Sequence, residues 1–238
     1  TQKTPLFRDT KALNTPLLRV DVLKKNSKLT LHMERLALED LKKWFTAKDR
    51  KPLDLRGARQ VGKSTLVRLF CEKAKLKLMV LNFEKNKLNH LEEPQFKIQS
   101  LIDEIELLLG TGITKDTLLF LDEIQEQPQM IKLLRYFYEE RPDIPVIAAG
   151  SLLELVLKKN AISFPVGRVH FYYLGPMTFF EFLIANGETI LVEQLGRKKI
   201  SETAFQMAKS YFKKYLYIGG MPKAVQTFVN TKSMLEVR

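Results

Sequence analysis

The chain has 238 residues, 45% hydrophobic and 28% charged, a length suited to one large domain or a domain with an appendage and a composition too apolar for a disordered chain. A lone cysteine, Cys71, excludes an intramolecular disulfide framework, and the most apolar stretch, 161–185, contains Arg168, His170, Glu181 and several Gly and Pro residues, which excludes a membrane span. The net charge of +12 is spread unevenly, +8 over residues 1–60, −3 over 61–157 and +7 over 158–238, so that two basic flanks enclose a mildly acidic middle.

In chain order, residues 1–50 are expected to form a basic helical segment. Leu31, Leu38, Leu41, Trp44 and Phe45 recur at mainly three- and four-residue steps, the period of an amphipathic helix. Pro52 breaks this pattern, and Leu53 to Arg56 reads as a short strand running into Gly57. The next eight residues, Gly57, Ala58, Arg59, Gln60, Val61, Gly62, Lys63 and Ser64, match G-x-x-x-x-G-K-[ST], with Thr65 and an apolar helix following. Glycines there let successive backbone N–H groups turn inward as an anion nest, and the helix directs its positive end at the same point. Lys63 is expected to neutralise the β- and γ-phosphates of a nucleotide and Ser64 to place its hydroxyl on Mg²⁺.

Short unbroken apolar runs then alternate with helix-length segments: Leu78 to Phe83 and Pro94 to Leu109, Thr117 to Leu121 and Met130 to Glu140, Val146 to Ala149 and Leu152 to Lys158. Strands without polar alternation, separated by helices, are buried on both faces of a parallel sheet. An α/β three-layer core with a mainly parallel sheet is therefore expected over residues 51–175, with Val169 to Leu174 as its last strand. Helices over Pro176 to Ala185, Ile190 to Leu195, Ser201 to Tyr217 and Pro222 to Val229 are expected to form a lid subdomain over 176–238. Gly219 and Gly220 read as a helix stop or a hinge.

The run from Thr117 ends in Asp122 and Glu123. In phosphate-loop proteins an aspartate at the end of the neighbouring strand joins the magnesium shell, which suits Asp122. A glutamate immediately beyond it is placed to polarise a water for attack on the γ-phosphate, which favours hydrolysis by Glu123 over nucleotide storage. A guanine-reading Asn-Lys-x-Asp is missing; the nearest approach, Asn86-Lys87-Leu88-Asn89, lacks the aspartate, so ATP is expected rather than GTP.

These segments resemble the prokaryotic AAA-type P-loop ATPases that usually carry a carboxy-terminal domain of unknown function, related to the archaeal and signal-transduction ATPases. The resemblance runs from about Leu31 onward through Gly57 to Thr65, Leu118 to Gln125, Ala149 to Leu155, Pro165 to Val169, Leu174 to Phe182 and Tyr217 to Val225. It implies that Ser151 stands at the sensor position reading the γ-phosphate or the attacking water, a position that also suits a helix N-cap. It implies that Arg168, in a Gly-Arg pair, is a sensor or arginine finger acting in its own subunit or a neighbour's, with a strand-edge salt bridge as the alternative. Ala58 stands where the family often has proline, and the family's further carboxy-terminal domain is expected to be missing.

The reading is thus Mg²⁺-dependent ATP binding and hydrolysis, with a nucleotide-gated switch of negligible turnover as the alternative. Basic clusters at Lys24, Lys25 and Lys28, at Lys42 and Lys43, at Arg197, Lys198 and Lys199, and at Lys213 and Lys214 are candidate nucleic-acid contacts or solvated faces. A homo-oligomer is admitted as a partner and a membrane is not. With no signal-peptide pattern and Thr1 as first residue, the chain is expected to be a trimmed piece of a cytoplasmic protein. His32, His90 and His170 lack metal-site spacing with Cys71, and the aromatics Phe171, Tyr172, Tyr173, Phe179, Phe180 and Phe182 are assigned to packing. Glu154 and Glu181 are read as solvent-facing or capping residues.

Overall fold

The computed structural model describes residues 35–88, 97–151, 165 and 167–237. Lys24, Lys25, Lys28, His32, His90, Glu154 and the helix expected from Leu152 to Lys158 lie outside the described residues. The first described helix, α1 (Ala37–Thr46), buries Leu38, Leu41 and Trp44 along one face and exposes Lys42 and Lys43 on the other, as its three- and four-residue apolar spacing requires.

After α1 come β1 (Leu53–Arg56), α2 (Lys63–Ala74), β2 (Lys77–Asn82), α3 (Ile98–Leu109), β3 (Thr117–Asp122), a 3₁₀ turn (Ile124–Glu126), α4 (Gln129–Glu139), β4 (Val146–Ala149) and β5 (His170–Tyr173). The strands form one sheet in the order β2-β3-β4-β1-β5, and every pairing is parallel. Thr117 through Leu121 and the whole of β4 are buried, which explains why these runs show no polar alternation. Because side chains alternate across a strand, Met79, Leu81, Leu119, Leu121, Val146 and Ala148 share one face, where they form a single cluster with apolar residues of α3 and α4. Helix α2 packs against β2 and β3 and buries Leu66, Val67, Phe70 and Cys71. Phe70 meets Phe45 of α1 edge-on at 5.7 Å. This is a three-layer α/β architecture built on a parallel sheet.

The chain divides into two compact units. One runs from Asp40 to Gly175 and holds the sheet; the other joins the described residues up to Glu39 to those from Pro176 onward. The second unit contains α5 (Phe179–Ala185), α6 (Thr189–Leu195), α7 (Glu202–Ile218) and α8 (Pro222–Thr231). Thr178 and Glu181 form a reciprocal capping box at the start of α5, with Glu181 N donating to Thr178 Oγ1 at 3.2 Å and Thr178 N to Glu181 Oε2 at 2.7 Å. The other carboxylate oxygen of Glu181 accepts from Leu36 N at 2.8 Å and Arg35 Nε at 3.1 Å. Glu181 is therefore a cap and is buried, not solvent-facing, because one carboxylate satisfies a helix end and a guanidinium together.

The aromatic residues of this unit pack as expected: Phe182 stacks on Phe228 at 5.8 Å and Phe179 meets Phe212 edge-on at 5.2 Å. Gly219, with φ +77°, ends α7. Its neighbour Gly220 is held by Met177, whose N–H donates to the Gly220 carbonyl at 2.7 Å, and a Cβ at Gly220 would collide with the Met177 carbonyl. The glycine pair is thus a docked helix stop. Among the described residues no helix is long and apolar enough to cross a membrane.

Candidate nucleotide site

In a parallel sheet all strands point the same way, so the loops that leave their carboxyl ends gather along one edge. The loop after β1, the carboxyl end of β3 and the first residues after β4 meet there, since β3, β4 and β1 are consecutive neighbours. Together they enclose a cleft of about 250 Å³ lined by Arg59, Gln60, Gly62, Lys63, Ser64, Thr65, Glu123 and Ser151. The lining is polar and the volume suits the phosphates of a nucleotide rather than a whole one, given that pockets for drug-sized ligands run from roughly 300 Å³ upward.

Each loop residue has a position set by local backbone chemistry. Gly57 has φ +147° and Gly62 φ +94°. Gly62 starts α2, and its carbonyl accepts from Leu66 N at 2.8 Å. Val61 is fully buried and anchors the loop to the core, while Arg59 and Gln60 are exposed, Gln60 with φ +62°. The Lys63 ammonium turns back into its own loop, donating to Gly57 O at 2.8 Å and Ala58 O at 3.1 Å. Burial lowers the Lys63 pKa, against the pull of Glu123 and Asp122 and with a small push from Arg59. An anion entering the loop offers this ammonium stronger, charge-assisted partners than two carbonyls.

Ser64 Oγ donates to Asp122 Oδ2 at 3.0 Å. Their spacing, 58 residues apart in sequence, results from the crossover that carries the chain from β1 to the far edge and back through β3. Burial raises the Asp122 pKa, with Glu123 adding to the effect and the Ser64 hydroxyl opposing it. A raised carboxyl favours the folded protein while protonated, and that advantage disappears as pH rises through its folded pKa. The charged Asp122 is thus a cost to the ligand-free protein at neutral pH. We expect Asp122→Asn to raise the melting temperature at pH 7 while weakening Mg²⁺-dependent nucleotide binding; a differential scanning and titration pair checks both halves.

Glu123 lies in the left-handed region, φ +54°, at the entrance to the 3₁₀ turn, a conformation that costs a non-glycine residue about 1–3 kcal/mol and concentrates at functional sites. Its Oε2 accepts from Gln125 Nε2 at 2.6 Å. Ser151 lines the same cleft, and its buried Oγ has no hydrogen-bond partner among the described residues. The helix that Ser151 was expected to cap lies outside the described residues. Gln125 and Gly150 were not singled out from the sequence, where Gln125 stands among the polar residues Glu126, Gln127 and Gln129 and carries no distinguishing signal.

Arg168 is not brought to this cleft. It stands two residues before β5, and His170 N donates to Pro52 O just before β1, so Arg168 occupies the amino-terminal edge of the sheet, opposite the phosphate loop. Its Nε pairs with Glu139 Oε1 at 2.7 Å at the end of α4, both side chains being about half exposed. A sensor role within its own subunit is corrected to the strand-edge ion pair, because parallel strands place their first and last residues on opposite edges. Arg168→Ala should leave ATP turnover by dilute protein unchanged; loss of turnover confined to concentrations at which the chain self-associates would mark an arginine acting on a neighbour.

Among the described residues no group of three His, Cys, Asp or Glu side chains is arranged to hold a metal ion. Cys71 is buried and its thiol pKa is pushed up to about 11 by that burial, which makes it an inert core residue.

Residues 49–183, more than half of the chain, match an AAA domain family. No curated protein matches the sequence. Among solved structures the chain is similar to a Walker-type ATPase of Pyrococcus abyssi, with 16% identity, a TM-score of 0.49, and 84% of this chain and 69% of that one covered. It is also similar to the Thermotoga maritima Holliday-junction branch migration motor RuvB, with 16% identity, a TM-score of 0.40, and 85% of this chain and 65% of that one covered.

Proposed function

Since the chain belongs to the AAA domain family of P-loop ATPases, we propose that it binds ATP with Mg²⁺ and hydrolyses it. The observation that carries this reading is the convergence on one cleft of the Lys63 loop, the Ser64–Asp122 pair and Glu123. Nucleotide binding follows from the family; hydrolysis follows from Glu123, which a storage or switch protein does not require.

In this reading the loop N–H groups and Lys63 hold the β- and γ-phosphates. Ser64 and Asp122 are the residues that would hold Mg²⁺: a hydroxyl and a carboxylate in contact at the phosphate loop are hard oxygen donors, and their small number suits an ion that keeps several waters and shares itself with phosphate. The ion would neutralise charge on the phosphates. Glu123 accepts the proton of a water as the water oxygen bonds to the γ-phosphorus. The bond from that phosphorus to the β–γ bridging oxygen breaks, and its electron pair leaves with ADP. Ser151, which lines the cleft, is assigned to orient the water or the γ-phosphate. Arg59 at the cleft mouth adds positive charge.

Coupling to nucleic acid is a second reading. Lys42 and Lys43 are exposed on α1, and Arg197, Lys198, Lys199 and Lys213 are exposed in the helical unit, but Lys214 lies over the Tyr211 ring at 4.6 Å. We place the protein in the cytoplasm, where ATP is available, and leave room for a homo-oligomer.

The test is steady-state ATP hydrolysis at low salt, with and without single- and double-stranded DNA, against Glu123→Gln as blank. Turnover above the blank supports the enzyme. Stimulation by DNA that fades as salt rises supports nucleic-acid coupling. Tight ATP binding with no turnover under either condition replaces the enzyme with the nucleotide-gated switch.

A further inference from the structure

We propose that Gln125 is a positioning residue for the Glu123 carboxylate, and that Gly150 is a glycine because it makes room for the Gln125 amide. The inference rests on Glu123 being the base of ATP hydrolysis. Gln125 is 8% exposed, although it lies in a 3₁₀ turn that leaves the sheet edge. A glutamine is rarely buried without a task. Its Nε2 donates to Glu123 Oε2 at 2.6 Å, and the orientation of the amide is set by chemistry, since an ionised carboxylate can only accept. With Oε2 engaged, the rotation of the Glu123 side chain is restricted and Oε1 is left to act in the cleft.

The far side of the same amide is as informative. Gln125 Oε1 is buried and has no hydrogen-bond partner among the described residues. An unpartnered buried acceptor is a cost that folding alone would not favour. The neighbour at that point is Gly150, the residue between β4 and Ser151: a Cβ on Gly150 would lie 2.5 Å from Gln125 Oε1. Gly150 is not among the residues with positive φ, so its lack of a side chain answers to space and not to backbone conformation. Two strand ends thus cooperate: β3 delivers the base and the residue that holds it, while β4 leads into the gap in which the holder sits.

The closing experiment compares Gln125→Met, which keeps length and volume but cannot donate, with the parent and with Gly150→Ala. Gln125→Met is expected to lower kcat by on the order of 10- to 100-fold, the range in which misplacement of a catalytic group falls, while KM for ATP stays within about threefold. Gly150→Ala is expected to lower kcat in the same direction by displacing the amide. The decisive arm repeats Gln125→Met in a Glu123→Gln background under single-turnover conditions. A positioning residue has nothing left to position there, so the second substitution should add no further loss. An equal loss in both backgrounds, or a loss matched by a fall in melting temperature and ATP affinity, overturns the inference in favour of a structural role. Parental kcat in Gln125→Met with Glu123→Gln inactive overturns the inference and leaves the hydrolytic reading standing. Parental turnover in Glu123→Gln overturns the hydrolytic reading itself.

Discussion

Glu123→Gln is expected to bind ATP as tightly as the parent and to lose turnover by about 10²- to 10⁴-fold, the contribution typical of a positioned general base. The substitution keeps the size of the side chain and removes its ability to take a proton. Binding is expected to be spared because the proposed function assigns the phosphate contacts to the loop and to Lys63, whose ammonium sits among the loop carbonyls at 2.8 and 3.1 Å. Affinity is measured by calorimetric or fluorescent titration and turnover by single-turnover phosphate release. If affinity and turnover fell together, Glu123 would be contributing to ground-state binding and the assignment of the base would fail.

Gly57→Ala should disrupt the site at its root, with a loss of stability of about 3 kcal/mol or more. Gly57 has φ +147°, which side chains rarely adopt, and a Cβ there would be driven into the backbone carbonyl of Leu174 and tightly against Val61. Neither obstacle can rotate away. Leu174 is fixed because its N–H donates to the Arg56 carbonyl at 2.8 Å, one step beyond the parallel pairing of Arg56 with Tyr173, and Val61 is fully buried. The chain must therefore either open the junction of β1 and β5 or distort the phosphate loop. A lowered denaturation midpoint at unchanged slope, together with lost ATP binding in the fraction still folded, is the expected result. Gly110→Ala serves as the control: it shares a positive φ of +63° but has nothing within 4 Å of the added atom, so its cost should stay near 1 kcal/mol.

The two predictions also separate what could be read locally from what could not. The loop from Gly57 to Ser64 is a contiguous motif whose chemistry depends on its own backbone, so Lys63 and Ser64 could be placed before any fold was known. The apolar runs Thr117 to Leu121 and Val146 to Ala149 announced a parallel sheet because a strand buried on both faces has no polar alternation to show. Helix limits were legible to within a few residues, since caps are local: the helix expected from Ser201 begins there, with Ser201 capping α7 through Ala204 N at 3.2 Å. The sign of Asp122 and Glu123 was equally plain, two acids at the end of such a strand.

Arg168 shows the limit of that reading. Its Gly-Arg context marked it as a sensor or finger with a strand-edge salt bridge as the alternative, yet its place just before β5, which pairs in parallel with β1, sets it at the edge opposite the phosphate loop and beside Glu139. Glu181 shows it again: its capping box with Thr178 is three residues long, but its burial depends on Arg35, 146 residues away. The Gln125–Gly150 fit joins a turn after β3 to the end of β4 and has no local signature at all. By itself, then, the sequence determined the phosphate loop, the acidic pair and the α/β alternation, because each is governed by short-range backbone chemistry and hydrophobic periodicity. Strand order, the contact of Ser64 with Asp122, the removal of Arg168 to the opposite edge and the hold of Gln125 on Glu123 were decided only by tertiary structure, because packing brings together residues whose separation along the chain carries no record of their distance in space.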